Sequence, residues 1–421
     1  MSYAINNVKV IDPGSKFHNK KVSILIKNGK IEDISNRELK GKKLIKGDQL
    51  YISKGWIDLR AHLKDPGFEQ KETLEQLLHS ASIGGFTNIL CLPNTDPVVQ
   101  NKNIIKNILS RSSEFPVDVL VSAGISKDLK GEELSELMDL SNAGAIAFTD
   151  GDRDIANTEL LGHALLYTKN FDGLVMLHCE DGDISQNGQM NEGEMSTILG
   201  LKGIPHLAES SRVERNISLL EHYGGRMHIS HISSPESLEM IKKAKKKGLQ
   251  ITCDVSINSL VMDESTVLQY DSNFKTVPPL RSKTTIKKLW KGLKDGSIDA
   301  VVSDHNAQDE ESKNLEFDLA EPGILGLETL FHLLVKEAGD DFKIEAIVEK
   351  ISSNPEKILG LSREGIEKGA EADLTLFSLN NSWEYDRDFD KGLAQNSPFI
   401  GEVFKTRVLA TFKNKHVFTN Y

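Results

Sequence analysis

Hydrophobic and polar residues follow two different patterns along this chain, one in its middle and one at its two ends. Between about residues 52 and 358, short apolar or β-branched runs take turns with longer amphipathic stretches, which is the pattern of repeated strand and helix units. The eight strand-like runs are Gly55–Asp58, Thr87–Leu92, Val117–Ala123, Ala145–Thr149, Leu174–Leu177, Met227–Ser230, Gln250–Val255 and Ala300–Ser303.

Helix-like stretches lie between most pairs of these runs. From their amphipathic spacing we predict helices at Glu72–Ile83, Gly131–Ser141, Ser234–Lys247 and Thr284–Lys294. Eight strand and helix units are the number that closes a parallel barrel of the triosephosphate isomerase type. The fold class expected for residues 52–358 is therefore α/β, a (β/α)8 barrel.

The two ends of the chain, residues 1–51 and 359–421, show the shorter alternation of β-strands. Neither end has enough strands for a core of its own. We therefore predict that both termini pair into one small composite β-sandwich domain beside the barrel. The strand-like segments are Val8–Ile11, Val22–Ile26, Ala372–Phe377 and Arg407–Phe412.

Composition narrows the classes of function. A net charge of -11 disfavours nucleic-acid binding, and the basic run Lys242–Lys247 precedes Gly248 at a predicted helix end, where lysines complement the helix dipole. With no apolar stretch of membrane-spanning length and no targeting signal in the first residues, we expect a cytoplasmic protein without membrane contact. Cys91, Cys179 and Cys253 lie in strand-like runs, as buried reduced thiols do.

Polar side chains follow many of the predicted barrel strands, and in a barrel these strand ends converge on one face. Three histidines and two carboxylates there could bind one or two divalent ions of the zinc type, and an ion would lower the pKa of its bound water. A carboxylate at the end of the last strand could move a proton. The residues are His62, Asn94, Asp150, His178, His231 and Asp304.

Single residues of this group also have structural interpretations. Asn94 and Asp150 lie in sequences that suit turns, so their functional role depends on the group as a whole. We interpret His228 and His222 as structural histidines and not as ligands. Whether His305 supports the site or only packs beside Asp304 stays open.

Ten sequence motifs together identify a family that the chain resembles nearly end to end. They are Asp58–Gly67, Pro93–Pro97, Gly144–Asp150, His178–Asp181, Met190–Gly193, Leu199–Pro205, His228–His231, Pro278–Arg281, Ser303–His305 and Gly326–Thr329. The resemblance is to the class I dihydroorotases of the cyclic amidohydrolase superfamily. It implies a barrel with a small composite β domain.

The resemblance also implies a reaction, the interconversion of carbamoyl aspartate and dihydroorotate in pyrimidine biosynthesis, in which a zinc-activated water attacks the ring amide. Asp304 would be a metal ligand and the catalytic acid and base, and the segment Asn306–Gly323 would close over the site. The other roles that the motifs imply are a first-metal ligand in His62, a bridging ligand in Asp150, second-metal ligands in His178 and His231, and a substrate-carboxylate contact in Asn94.

The chain departs from the family pattern inside this pocket. Arg60 stands in place of the first histidine, and a guanidinium has no lone pair for a metal. Lys64 replaces an arginine that grips the substrate carboxylate, and Gln308 replaces a histidine with a similar task. Val277 replaces a polar asparagine, and Asn258-Ser259 replaces a pair of histidines after the seventh strand. These substitutions predict weaker substrate binding and weaker catalysis.

Arg60 leads to a hypothesis about charge. A guanidinium between Asp150 and Asp304 would supply the positive charge that the first metal otherwise provides, because two buried carboxylates repel each other. The alternative is that Arg60 points to solvent at the barrel mouth. The remaining ligands, Asp150, His178 and His231, would hold one zinc ion at most, or none.

Two functions stay open at this point. The chain could be a dihydroorotase, or a related hydrolase of a small cyclic amide, that works weakly with a reduced metal site. It could instead be a non-catalytic homologue that serves as a structural or regulatory partner of aspartate transcarbamoylase, an enzyme with which some family members associate. In either case the expected oligomer is a homodimer.

Overall fold

The computed structural model describes residues 1–339, 341–386 and 392–420. The strands are β1 (Ser2–Ile11), β2 (Lys21–Lys27), β3 (Lys30–Ser35), β4 (Lys43–Ile45), β5 (Leu50–Lys54), β6 (Trp56–Ala61), β7 (Phe86–Cys91), β8 (Asp118–Ala123), β9 (Ala145–Phe148), β10 (Leu174–Leu177), β11 (Met190–Asn191), β12 (Gly203–Ile204), β13 (Arg226–Ile229), β14 (Ile251–Ser256), β15 (Ala300–Val302), β16 (Asp373–Ser378), β17 (Trp383–Glu384), β18 (Val403–Phe404), β19 (Arg407–Lys413) and β20 (His416–Thr419).

Helices alternate with the strands from residue 74 to residue 358. They are α1 (Leu74–Gly84), α2 (Lys102–Ser112), α3 (Leu137–Ala143), α4 (Thr158–Thr168), α5 (Gly182–Ser185), α6 (Glu194–Leu199), α7 (His206–Tyr223), α8 (Pro235–Lys246), α9 (Ile257–Val261), α10 (Lys283–Lys294), α11 (Glu310–Lys313), α12 (Leu330–Ala338), α13 (Ile344–Ile351) and α14 (Ser353–Ile358). Over the described ranges, none of them is long and apolar enough to cross a membrane.

Eight parallel strands form the barrel in the order β6, β7, β8, β9, β10, β13, β14 and β15. Each overlaps one of the eight predicted runs, so the barrel prediction is confirmed. A parallel bridge between Ala61 and His305 connects the first strand to the residues just after the last, and the backbone N–H of His62 donates to the His305 carbonyl at 2.9 Å. Asp58 accepts from the Ser303 amide at 2.8 Å across the same seam.

Local sequence explains where the helices begin and end. The hydroxyl of Thr73 caps α1 by accepting from the backbone N–H of Gln76, and the side-chain oxygen of Gln76 accepts from the backbone N–H of Thr73. Gly85 ends the helix at φ +93°. The helix predicted at Gly131–Ser141 forms only from Leu137 onward. Its first half is a loop because its backbone groups bond to the segment before it, with Ser135 donating to the Ile125 carbonyl.

Both termini contribute to one mixed sheet in the order β20, β19, β16, β5, β1, β2 and β3, with β4 parallel to β1. The chain ends meet where β16 pairs antiparallel with β5. The sheet packs on its own apolar core, which includes Val8, Ile24, Leu376 and Phe412. A small composite β domain therefore stands beside the barrel. Its boundaries at 51/52 and 358/359 stay a prediction, and β5 crosses the first of them.

Apolar side chains fill the interior of the barrel below the strand ends. Leu59 on β6, Leu90 on β7, Met176 on β10 and Val302 on β15 belong to one buried cluster, so residues from distant strands meet at the axis. This apolar layer closes the interior, so the polar side chains at the carboxyl ends of the strands are the natural place for a ligand.

Candidate functional site

Arg60 lies at the centre of the barrel mouth. It is on β6, is 1% exposed, and its Nε donates to Asp304 Oδ1 at 2.8 Å. Its Nη2 donates to Asp152 Oδ1. Asp304 follows β15 with φ +52°, and Asp152 lies in the turn after β9. The guanidinium therefore sits between two carboxylates and not in solvent.

The second carboxylate is Asp152, whereas the sequence led us to expect Asp150. Asp150 is buried with its carboxylate on the loop after β8, where it accepts from the Ser126 amide at 2.9 Å and from the Ser126 hydroxyl. The hypothesis about Arg60 is corrected accordingly. The bridging-ligand role of Asp150 stays a prediction, and the position of its carboxylate does not favour it.

Between the two aspartates lies Gly151, at a position that only glycine fits. It adopts φ +69°, and a Cβ on it would lie 1.7 Å from Asn94 Oδ1. Asn94, which follows β7, therefore lies against the turn that follows β9. The sequence contains the signal, two carboxylates flanking a glycine, but not the direction in which each one points.

Three predicted histidines line the same mouth and are at most 5% exposed. His62 Nδ1 lies 3.5 Å from Asp152 Oδ2, and His231 Nδ1 lies 3.7 Å from Asp304 Oδ2. His178 Nδ1 is 2.8 Å from His231 Nε2, which is a hydrogen bond between the rings. The structure therefore brings His62, His178, His231 and Asp304 together around Arg60.

Burial and charge set the protonation of this group. Burial lowers the pKa of His62 to about 4, and burial together with His231 and Arg60 lowers that of His178 to about 3. Burial opposes ionisation of Asp152, yet His62 and Arg60 bring its pKa to about 2. Burial likewise opposes ionisation of Asp304, but His231 and Arg60 hold its pKa below the usual range. At neutral pH both carboxylates are ionised.

A metal ion does not fit this arrangement. An ion needs several lone pairs directed at one point, but Asp152 and Asp304 each give one oxygen to Arg60, and the hydrogen bond between His178 and His231 occupies one nitrogen of each ring. The oxygens and nitrogens that remain lie around a permanently charged guanidinium, which would repel a cation placed among them. Within residues 1–339, 341–386 and 392–420, no group of three His, Cys, Asp or Glu side chains is placed to hold a metal. The guanidinium of Arg60 occupies the position between the two carboxylates.

Asp254 on β14 positions the histidines from beneath. Its two oxygens contact the His231 amide and His228 Nε2, the latter at 2.8 Å, while His228 Nδ1 is 2.8 Å from Thr252 Oγ1. His231 is held at φ +39°, in the left-handed region. His228 therefore has its ring nitrogens bonded within the barrel wall. Asp254 was missed in the sequence because it precedes the strand end.

His305 has both ring nitrogens bonded to groups of the protein. Its Nε2 lies 3.0 Å from Glu72 Oε1, and its Nδ1 accepts from the amides of Gly326 and Leu327 at 3.3 and 3.4 Å. The ring thus ties the end of the last strand to the start of α1 and to the Gly326–Thr329 motif. His222, the other histidine interpreted as structural, is exposed beside Tyr223.

Gln308 makes its contacts within the loop. Its Nε2 donates to the Pro322 carbonyl at 2.9 Å and to Asn306 Oδ1 at 3.2 Å, and its Oε1 accepts from Lys71 at 2.6 Å. With 4% of its surface exposed, it has little left for a substrate. Lys64 is partly buried, and burial with the nearby Lys71 lowers its pKa to about 8. The substrate-binding roles expected for Lys64 and Gln308 stay predictions.

The segment Asn306–Gly323, which the family resemblance implies would close over the site, is anchored by the buried Lys313. Lys313 Nζ donates to three carbonyls, those of Ser272, Glu321 at 2.9 Å and Gly323 at 3.3 Å. Asn396 adds bonds to the carbonyls at both ends of the segment, at 2.9 Å to Asn306 and 3.0 Å to Gly323. The segment is therefore anchored at both ends, and its role as a cover over the site stays a prediction.

We expect Lys313→Met to loosen this segment. The carbonyls of Ser272, Glu321 and Gly323 would lose a charged donor, and only Ser272 and Gly323 keep a second one, from Lys275 and Asn396. The free energy of unfolding should therefore fall by about 1–3 kcal/mol. Urea unfolding measures that loss, and limited proteolysis should show faster cleavage within residues 306–323. Lys46→Met, at an exposed lysine, is the matched control. Equal proteolysis of the two variants would contradict the anchoring role.

Comparison with known proteins adds two independent findings. The model of the family described as dihydro-orotase-like matches residues 50–237. A dihydroorotase from Acetivibrio thermocellus is 39% identical over 414 residues, covering 97% of this chain and 96% of that protein. A dihydroorotase from Syntrophus aciditrophicus is 36% identical over 424 residues, covering 98% and 97%. The sequence likeness thus extends over the whole chain.

Solved structures resemble this one in fold. The L-hydantoinase (dihydropyrimidinase) from Arthrobacter aurescens superposes with a TM-score of 0.86 at 22% identity, covering 99% of this chain and 96% of that one. A D-hydantoinase superposes with a TM-score of 0.83 at 23% identity, covering 100% and 95%. Both comparisons support the barrel with its added β domain.

Proposed function

Because this chain belongs to the dihydroorotase family, we propose that it is a member in which hydrolysis of cyclic amides is weak or lost. The observation that carries this proposal is the position of Arg60. Its guanidinium pairs with Asp152 and Asp304 at the point where the family resemblance requires a metal. The proposal is that the native chain holds no zinc at this site.

The substitutions around Arg60 support the same proposal. Lys64 offers a single point charge where the family has a planar fork, and Val277 offers no polar atom. Gln308 is engaged by Pro322 and Lys71. If each lost substrate contact costs about 1–3 kcal/mol, transition-state binding falls by several kcal/mol in all and turnover by several powers of ten.

The substrate class, if turnover survives, is a small cyclic amide such as dihydroorotate. In that reading the cytoplasmic pathway of pyrimidine synthesis is the setting, and Asp304 is the catalytic acid and base. Asp304 is already ionised and paired with Arg60, which suits a base better than an acid.

The alternative function is that of a non-catalytic partner of aspartate transcarbamoylase. It is favoured by the contrast between an intact frame and an altered pocket, since all eight barrel strands form while Arg60 pairs with Asp152 and Asp304 at the mouth. We propose that the chain forms a homodimer in both cases. Analytical ultracentrifugation of the chain alone, and then with purified aspartate transcarbamoylase, tests both assemblies.

Two measurements on one zinc-supplemented sample test the main proposal: the rate of dihydroorotate hydrolysis and the amount of bound metal. We expect turnover several powers of ten below that of a family dihydroorotase assayed beside it, and well under one zinc per chain. Asp304→Ala should leave the residual rate unchanged if that rate is background. Strong turnover that Asp304→Ala abolishes would overturn the proposal.

Arg60→His tests the cause. If Arg60 excludes the ion, this variant should bind zinc approaching one per chain, because it restores an imidazole and frees Asp152 and Asp304. Arg60→Gln is the control, since it frees the same carboxylates without adding a strong ligand. Zinc content that does not rise in Arg60→His, in a variant shown to be folded, counts against the role given to Arg60.

A further inference from the structure

Helices α8 and α10 lie side by side on the outside of the barrel and carry an unusual density of lysine. Together they hold nine lysines against two glutamates, a net charge of +7 in a chain whose total is -11. We name this face the lysine surface. Its lysines are Lys242, Lys243, Lys245, Lys246, Lys283, Lys287, Lys288, Lys291 and Lys294.

The charges on α10 repel one another. Lys283, Lys287 and Lys291 are spaced four residues apart, and Lys288, Lys291 and Lys294 three apart, so like charges are neighbours along one helix face. Such spacing destabilises a helix, and α10 contains no acidic residue to offset it. The helix dipole favours cations only in the last turn, which leaves Lys287 and Lys288 without that explanation.

Nearby acidic groups are mostly taken by other lysines. Asp295, at the end of α10, pairs with Lys242 at 2.9 Å, and Asp299 pairs with Lys245. In the part of the chain that the structure describes, Lys287, Lys288 and Lys291 are exposed and form no ion pair. An external anion would remove their mutual repulsion.

A groove of about 540 Å³ runs between the two helices. Its apolar walls include Leu238 and Met240, and its charged lining has four lysines, Lys242, Lys243, Lys288 and Lys291, against Glu236, Glu239 and Asp295. Two of these acids have other partners, since Asp295 pairs with Lys242 and Glu236 with His206. The helices approach closely because α10 has Gly292 at the crossing, where a Cβ would lie 2.5 Å from Leu238. On the α10 side the groove therefore combines an apolar floor with lysines that form no ion pair in the described residues.

We propose that the lysine surface binds an acidic segment of a partner protein, with carboxylates on the lysines and an apolar side chain in the groove. Carboxylates are favoured over nucleic-acid phosphates because the surface has lysines and no arginine, whose fork suits phosphate. The total charge of -11 would also repel a long polyanion, whereas a short segment meets mainly the local field. This proposal does not rest on catalysis at the barrel mouth.

A fluorescent peptide of about eight glutamates around two leucines is a suitable probe, because its extended length of about 33 Å exceeds the roughly 18 Å of α10 and lets it reach lysines on both helices. Anisotropy at low salt should show binding that weakens as salt is added. Replacing the two leucines by serines should weaken it further. Unchanged affinity of the serine peptide would remove the groove from the proposal.

Charge reversal locates the site. Lys287→Glu/Lys288→Glu/Lys291→Glu should weaken peptide binding on the order of tenfold. The matched control, Lys40→Glu/Lys42→Glu/Lys46→Glu, changes the total charge equally at exposed lysines of the β domain and should stay within about twofold.

Equal weakening in both triple variants would show a general charge effect and overturn the proposal. Tighter binding of an oligothymidine of matched charge than of the peptide would overturn it in favour of nucleic acid. If the charge-reversed protein does not fold by circular dichroism, the triple glutamine variant at the same three positions replaces it.

Discussion

Arg60→Ala is expected to lower the free energy of unfolding by about 3–5 kcal/mol, as the loss of one partner from a buried ion pair does. The substitution leaves Asp152 and Asp304 facing each other without the cation between them. Arg60 is 1% exposed, so water cannot replace it without a change in the surrounding structure. The side chain of Asp152 is 38% exposed, which favours the lower end of this range. Urea unfolding at neutral pH measures the loss.

A double-mutant cycle separates the ion pair from the packing of the long side chain. Asp304→Asn removes one charge, and the cycle with Arg60→Ala should show a coupling energy of about 1–3 kcal/mol. The exposed Arg37 supplies the matched control, because Arg37→Ala should cost less than about 0.5 kcal/mol. If Arg60→Ala costs no more than Arg37→Ala, the guanidinium is not what holds the carboxylates.

The barrel was predictable because its signals are local and repeated. Runs such as Leu174–Leu177 and Ala300–Val302 are short, apolar and buried on both faces, which is the pattern of central parallel strands. Polar residues just after such runs, as at His178 and Asp304, must then meet at one end. The meeting of these distant residues could therefore be predicted from the order of the strands in the barrel, without knowledge of individual contacts.

The direction of single side chains in turns was not predictable. Asp150 and Asp152 have the same chemistry and flank one glycine, and the side chain of Asn94 lies so close to Gly151 that a Cβ there would clash with it. Asn94 comes from the connection after a different strand, so no local pattern contains this information. The same holds for Gln308, whose partner Lys71 lies more than two hundred residues earlier in the chain.

The mouth therefore differs from an intact metal site in a coordinated way. Replacing one ligand by arginine alone would place a cation beside a metal, and the two would repel. In this chain the arginine instead pairs with two carboxylates at the barrel mouth, Asp152 and Asp304. This pairing is what the proposal of weak or lost hydrolysis rests on, and the zinc content of Arg60→His tests it.

A second large effect is expected on acidification, through His332 on α12. This ring is 2% exposed, lies 5.2 Å from the Phe404 ring, and has its Nδ1 2.7 Å from Thr406 Oγ1. Burial, with a contribution from Arg407, lowers its pKa from 6.5 to about 3. Because the unfolded chain takes up the proton first, stability is fully present above pH 6.5 and is lost as the pH falls toward 3.

The size of this loss follows from about 1.4 kcal/mol per pKa unit, which gives a few kcal/mol for His332. Buried His62 and His178 add losses of the same sign. We expect His332→Gln to flatten the fall in unfolding free energy between pH 7 and pH 4, since glutamine keeps a polar contact for Thr406 but does not titrate there. His163→Gln, at an exposed histidine of α4, should keep the parent slope. If both variants keep it, other groups dominate acid unfolding and the burial of His332 carries no proton-linked cost.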